Sequence, residues 1–168
     1  FMPVFGLNNG MIPIISYNYG AQRPDRMKRT MKLGVMVGCS IMLFCLVIMQ
    51  VFPGQILKIF DATDDMLSMG IPAVRIMSTA FIFAGFSVTC SGMFQAVGKG
   101  VYSMIVSMAR QLFVILPVAY FLSKAMNSVN GVWTAFPIAE IFSVIISTFL
   151  LLRVYKKIVK PLERGQIE

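Results

Sequence analysis

The chain has 168 residues, 57% of them hydrophobic and only 13% charged, with a net charge of +8. A soluble domain is about 45–50% apolar and about 25% charged, so this composition excludes an ordinary soluble core, and the apolar residues come in long blocks, as in a membrane protein. There is no histidine, which removes His-based acid–base catalysis, Ser-His-Asp triads and histidine metal sites.

Five apolar blocks follow one another, at about 1–19, 33–52, 70–97, 101–122 and 132–154. Each is near the roughly 20 residues that cross a hydrocarbon core as a helix. Strands are not expected, because the blocks do not alternate apolar and polar residues. The predicted fold class is therefore an all-α membrane protein, a polytopic bundle of about five transmembrane helices. The first block is apolar from Phe1 onward and has no basic leader. The expectation is a piece of a larger protein rather than a signal peptide.

The connections set the orientation. Arg23, Arg26, Lys28, Arg29 and Lys32 lie between blocks one and two, and Lys99 lies between three and four. Arg153, Lys156, Lys157, Lys160 and Arg164 follow block five. The other two connections carry Lys58 and Lys124, with Asp61, Asp64 and Asp65 beside the former. The positive-inside rule then places the first and third connections and a basic tail, 155–168, in the cytoplasm. Five crossings alternate without contradiction. A charge of this sign in a soluble protein would suggest nucleic acid. Clustered between apolar blocks, it points to a membrane surface, and no nucleic-acid partner is expected.

Local signals agree. Gln55–Phe60 reads as a short amphipathic stretch at the outer interface. Asp61-Ala62-Thr63-Asp64 can cap the helix that follows, with Asp64 and Asp65 favourable at its start. Pro13, Pro117 and Pro137 lie inside blocks, where they kink membrane helices. Gly34/Gly38, Ser87/Ser91, Ser103/Ser107 and Ser143/Ser147 are small residues four apart, which let membrane helices approach. Cys39, Cys45 and Cys90 sit in apolar blocks and read as buried small residues.

The polar residues within the blocks are Asn8, Asn9, Arg75, Gln95, Arg110 and Glu140. A charge at mid-helix costs about 2.5–3.5 kcal/mol on insertion scales, so it faces protein or water. Arg75 and Arg110 are long enough to snorkel toward opposite surfaces. Glu140, two turns into block five, is too short for that. Either it lines a water-filled cavity and binds a proton or a cationic substrate, or it is a structural partner for Arg75 or a backbone amide. Met77, Phe81, Gly85 and Met93 recur near one face of block three. They form either an adaptable ligand surface or ordinary packing.

The run Gly10-Met11-Ile12-Pro13-Ile14-Ile15-Ser16-Tyr17-Asn18-Tyr19-Gly20-Ala21-Gln22-Arg23 resembles the end of the eighth helix of multidrug and toxic compound extrusion (MATE) transporters. Ile56-Leu57-Lys58-Ile59-Phe60-Asp61 is similar to their next outer connection, and Phe94-Gln95-Ala96-Val97-Gly98-Lys99 to the inner end of their tenth helix. Arg110 with Pro117, then Gly131-Val132-Trp133 and Pro137, resembles helices eleven and twelve. The resemblance covers essentially the whole chain and is strongest to bacterial drug exporters. It implies twelve helices in two six-helix lobes, of which this chain supplies most of helix eight to helix twelve in the C-terminal lobe. It also implies a bacterial plasma membrane, no cofactor, and export of bulky, often cationic, drugs in exchange for H+ or Na+. The implied partners are those small molecules, the lipid bilayer and the N-terminal lobe. Some sodium-coupled members carry a carboxylate in the tenth helix. Block three has none, so a sodium site is not expected in this lobe. The other readings are a lipid-linked sugar flippase of the same superfamily and a non-transporting membrane scaffold. An enzyme is not expected, because no nucleophile–base pair or metal set can be assembled. The candidate pathway residues are Glu140, Arg75, Gln95, Asn8, Asn9, Met77 and Phe81.

Overall fold

The computed structural model describes residues 1–126 and 128–163. Arg164 and the end of the expected tail lie outside the described residues. The helices, in chain order, are α1 (Met2–Gly20), α2 (Pro24–Val51), α3 (Pro53–Ile59), α4 (Asp64–Ser78), α5 (Phe81–Ala96), α6 (Gly100–Met108), α7 (Leu116–Met126), α8 (Asn130–Val154) and α9 (Lys160–Glu163). Two π-helical stretches, Ala109–Ile115 and Tyr155–Val159, join α6 to α7 and α8 to α9. Proline explains both. Pro117 and Pro161 each follow a stretch by two residues. A proline lacks its N–H and clashes with the carbonyl four residues back. Widening the preceding turn accommodates both defects without ending the helix.

Three continuous helical rods are long and apolar enough to cross a membrane: Pro24–Val51, Gly100–Met126 and Asn130–Glu163. α4 and α5 together make a fourth crossing, bent by 50°. The expected unbroken span at 70–97 is therefore corrected. It starts at Asp64, where Thr63 caps the helix by accepting from the Met66 N–H at 3.4 Å, and it breaks at Thr79–Ala80. The first expected span, α1, has the length, about 28 Å at 1.5 Å per residue, but not the apolarity. Asn8, Asn9 and Asn18 lower it, and two of them, Asn8 and Asn18, are buried in the bundle.

α5 is the central helix, flanked by α1, α2, α6 and α8. Ten of its 16 residues are buried, most of them small. Lipid tails are as apolar as leucine, so close backbone approach and dispersion, not hydrophobic exclusion, hold such helices together. A Cβ added at Gly38 would lie 2.5 Å from Thr89 Oγ1, and one at Gly85 would lie 3.1 Å from the Gly38 carbonyl oxygen. The α2–α5 contact therefore depends on both glycines. Gly34 likewise leaves room for the Met11 thioether. By contrast, Gly6 and Gly10 are also small residues four apart, but a Cβ at either would meet nothing within 4 Å, so they bring no helix closer among the described residues. Large side chains such as Phe44, Phe113, Phe121 and Phe149 point outward.

The three basic segments meet at one end of the bundle. Gly98, at φ +72°, makes the tight turn between α5 and α6 that a side chain would oppose. That turn sets Lys99 beside Arg153 and Lys157. Lys28 pairs with Glu163, joining α2 to α9. Residues 155–163 are packed onto the bundle: Ile158, Val159 and Leu162 are buried against the core. The hydrogen bond from Lys28 to the Glu163 carboxylate raises the lysine pKa above 10.5. The lysine is exposed, and its contribution is fully present below 10.5 and lost as pH rises through the raised value.

The glycine contact gives a test in the full-length protein that contains this chain. Gly38→Ala is expected to cost about 1–3 kcal/mol by overpacking, read as a lower unfolding midpoint in detergent. Thr89→Ala removes the atom in the way and is expected to restore most of the loss.

Candidate functional site

A polar cleft of about 250 Å³ opens between α1, α5, α6 with its π extension, and α8. Asn8 and Asn9 enter it from α1, Gln95 from the end of α5, and Arg110 from the π-helical stretch. Asn8 is fixed by its Nδ2, which donates to the Val88 carbonyl at 2.8 Å. Gly92 makes the room: a Cβ there would lie 2.7 Å from the Asn8 carboxamide. At the mouth, Gln95 Nε2 donates to Ser103 Oγ at 3.2 Å.

Phe5, Ile12, Val88 and Val106 supply apolar lining, and the small residues expected for packing supply hydroxyls. Ser87, Ser91, Ser103, Ser107 and Ser143 all face the cleft. Their i, i+4 spacing puts each pair on one helix face, and three helices turn those faces together. The sequence signal was present in the hydroxyls, but Ser is also a common packing residue, so spacing alone did not separate the two roles.

Arg110 Nη1 donates to Glu140 Oε1 at 2.8 Å, an ion pair whose side chains are 20% and 10% exposed. The partner of Glu140 is thus Arg110, not Arg75, and Arg110 does not snorkel. Each residue lies ten positions into its helix, about 15 Å from opposite ends, so the pair sits near mid-depth. The π-helical stretch carries Arg110 toward α8, where Pro137 and Glu140 follow one another by one turn. Glu140 Oε2 has no hydrogen-bond partner among the described residues, and the same holds for Asn8 Oδ1, Ser87 Oγ, Ser143 Oγ and Ser147 Oγ. Buried polar atoms of this kind need water or a ligand. Of these residues Asn8, Ser87 and Ser143 line the cleft, which therefore presents both donors and acceptors in a low-dielectric setting. Among the described residues no group of three Cys, Asp or Glu comes together that could hold a metal ion.

The other sequence candidates lie elsewhere. Arg75 is exposed on α4, and its backbone carbonyl accepts from Gln50 Nε2 at 2.8 Å. Met77 lines an apolar groove with Trp133 and Leu57. Phe81 stacks edge-on against Phe1, with ring centroids 5.7 Å apart. Met93 is buried on the opposite side of α5. The 50° break and the helical rotation separate these residues, so no single methionine–phenylalanine face forms.

The family model described as MatE matches residues 1–121. The multidrug export protein MepA of Staphylococcus haemolyticus is 26% identical over 148 residues, which are 88% of this chain and 32% of that protein. MepA of Staphylococcus aureus is 26% identical over 131 residues, 78% of this chain and 29% of that protein. Among solved structures, the MATE multidrug transporter DinF-BH in complex with R6G superposes with a TM-score of 0.84 at 31% identity, covering 94% of this chain and 35% of that one. An inward-facing multidrug resistance MATE family transporter of the MOP superfamily gives 0.86 at 20% identity, covering 99% and 38%, a likeness of fold. The chain therefore spans about a third of the length of the relatives it matches.

The ion pair predicts a sharp asymmetry in stability. Arg110→Met alone strands a buried carboxylate and is expected to cost about 3–5 kcal/mol. Arg110→Met combined with Glu140→Leu is expected to recover most of it. Unfolding midpoints of the full-length single and double variants in detergent measure the difference.

Proposed function

We propose that this chain, which belongs to the MatE family, forms most of the C-terminal lobe of a twelve-helix secondary transporter that exports bulky, often cationic, organic molecules. The family relation makes it a membrane transporter component rather than an enzyme. In this reading the chain corresponds to helices eight to twelve, its basic end and C-terminus face the cytoplasm of a bacterium, and the N-terminal lobe completes the pathway. What supports the basic side as cytoplasmic is the loop charge, since Arg and Lys are retained on the inner side.

One observation carries the site: an intramembrane ion pair, Arg110–Glu140, with a carboxylate oxygen that has no partner among the described residues, beside a serine- and asparagine-lined cleft. Intramembrane ionisable residues mark substrate or ion pathways. In the proposed mechanism the two lobes rock about a central cavity, and the cleft forms this lobe's share of it. Glu140 exchanges its hold on Arg110 for a proton or a cationic substrate. Asn8, Asn9, Gln95 and the serine hydroxyls supply hydrogen bonds to polar parts of the cargo or to the water that accompanies it. Exchange is against H+ or Na+. Arg75, Met77 and Phe81 take no part in this cleft. They enter the proposal only as surfaces that the N-terminal lobe or the membrane covers.

The test is ethidium efflux in a host lacking other pumps. The full-length protein is expected to export ethidium. Glu140→Gln is expected to reduce efflux about tenfold or more, the scale of losing one charge-assisted hydrogen bond. Unchanged transport and unchanged ion coupling in Glu140→Gln would contradict the role given to Glu140. Expressed alone, residues 1–168 are expected to give no efflux.

A further inference from the structure

On the far side of α5 from the polar cleft lies a second groove, of about 400 Å³, between α2 and α8. Its walls are Met31, Val35 and Met36 on one side and Leu151 and Leu152 on the other. Buried Met93 forms its floor. The wall residues are unlike the cleft's: no Asn, Gln or Ser lines this groove. Its rims continue into outward-facing apolar side chains, with Leu33 50%, Met36 55%, Phe149 65% and Leu152 54% exposed. Only one end is polar. There Lys28 and Lys32, one turn apart on α2, stand at the mouth with Tyr155. From Lys28 to Met36 is eight residues, about 12 Å along the helix, so the groove runs from a cationic mouth straight into apolar depth.

We infer that this groove is a binding site for one acyl chain of an anionic phospholipid, with the lipid phosphate held at its mouth by Lys32 and Lys28. The inference needs only that α2 and α8 cross the bilayer; it does not depend on the transport reading. Charge complementarity selects the occupant. Lys28 is already engaged by Glu163 and, at 3.5 Å, by Asp25, which leaves Lys32 as the main cation for the lipid. Around the mouth, the segments 23–32 and 153–163 add Arg23, Arg26 and Arg29, then Arg153, Lys156, Lys157 and Lys160, against only those two acids. A zwitterionic headgroup brings a cation of its own into that field and gains little. An anionic headgroup gains the full attraction, as at other basic pockets beside membrane helices. An apolar slot that opens along its length to hydrocarbon and ends at a lysine matches a molecule with an acyl chain and an anionic head. A soluble anion would leave the slot empty.

The experiment is native mass spectrometry of the full-length transporter in mild detergent, titrated with dioleoylphosphatidylglycerol or dioleoylphosphatidylcholine. Phosphatidylglycerol is expected to be retained at concentrations where phosphatidylcholine is not. Lys32→Gln is expected to weaken phosphatidylglycerol binding roughly fivefold, the effect of one lysine at a membrane surface. Lys32→Arg is expected to keep it, and Lys124→Gln at the opposite end is expected to change nothing. Leu152→Trp, at a half-exposed position where a larger side chain can be carried without disturbing the core, is expected to displace the lipid by filling the slot. Equal retention of the two lipids, or retention unaffected by Lys32→Gln, overturns the inference. Retention of neither lipid also overturns it, since the slot is then covered by another part of the protein.

Discussion

Hydrocarbon offers no partner to a polar group, and this bundle is organised by where its polar groups can go. α5 is the solution. Half of its residues are Ala, Gly, Ser, Thr or Cys, so its neighbours α1, α2, α6 and α8 can come close, and polar side chains from α1 find carbonyls there. Asn8 donates to Val88 and Ser16 donates to Ala96, both on α5. Thr89 turns its hydroxyl back to the Gly85 carbonyl within the helix, at 2.7 Å. Where α5 cannot satisfy a polar group, α8 answers it through the Arg110–Glu140 pair. The two faces of α5 then differ in kind: a polar cleft on one, an apolar slot on the other.

Two prolines turn that packing into geometry. Pro117 and Pro161 each make the preceding turn widen into π-helix instead of breaking it. A wider turn changes which way every following side chain points. Arg110, which pairs with Glu140, is the second residue of the first stretch. In the second stretch the wider turn lets the helix after α8 continue with Ile158 and Val159 on the core. A third device is the break at Thr79–Ala80, which takes Met77 away from the face that Gly85 and Met93 share with their neighbours.

Much of this was legible in the sequence. Block lengths gave four of the five expected crossings, one of them without its break, Thr63 with Asp64 and Asp65 gave a helix start, and the loop lysines and arginines gave segments that the fold gathers at one end. Asn8, Asn9 and Gln95 were found because an amide inside an apolar block is costly anywhere but at a polar contact. The rest was hidden for identifiable reasons. The partner of Glu140 depends on the rotation of two antiparallel helices, which the sequence does not show: it suggested Arg75 or a backbone amide, with Arg110 reaching for the surface, whereas the structure pairs Glu140 with Arg110. The serines could not be separated from packing residues by spacing. The apolar shortfall of α1 was visible in its asparagines, but only burial shows that Asn8 and Asn18 face inward. The 155–163 segment looked like a charged tail because Lys156, Lys157, Lys160 and Glu163 interrupt its apolar residues; Ile158, Val159 and Leu162 are nonetheless buried.

The central claim is that the cleft beside Arg110 and Glu140 is a wet part of the substrate pathway. It is tested most directly by thiol accessibility in the full-length transporter, with Cys39, Cys45 and Cys90 replaced by alanine. Ser91→Cys and Ser107→Cys place thiols in the cleft, and Phe149→Cys places one on the apolar exterior. The account predicts that a membrane-impermeant charged maleimide labels the first two, that excess ethidium slows that labelling, and that the third stays unmodified. Cleft thiols that remain unlabelled, or that are labelled at a rate ethidium does not change, would contradict it.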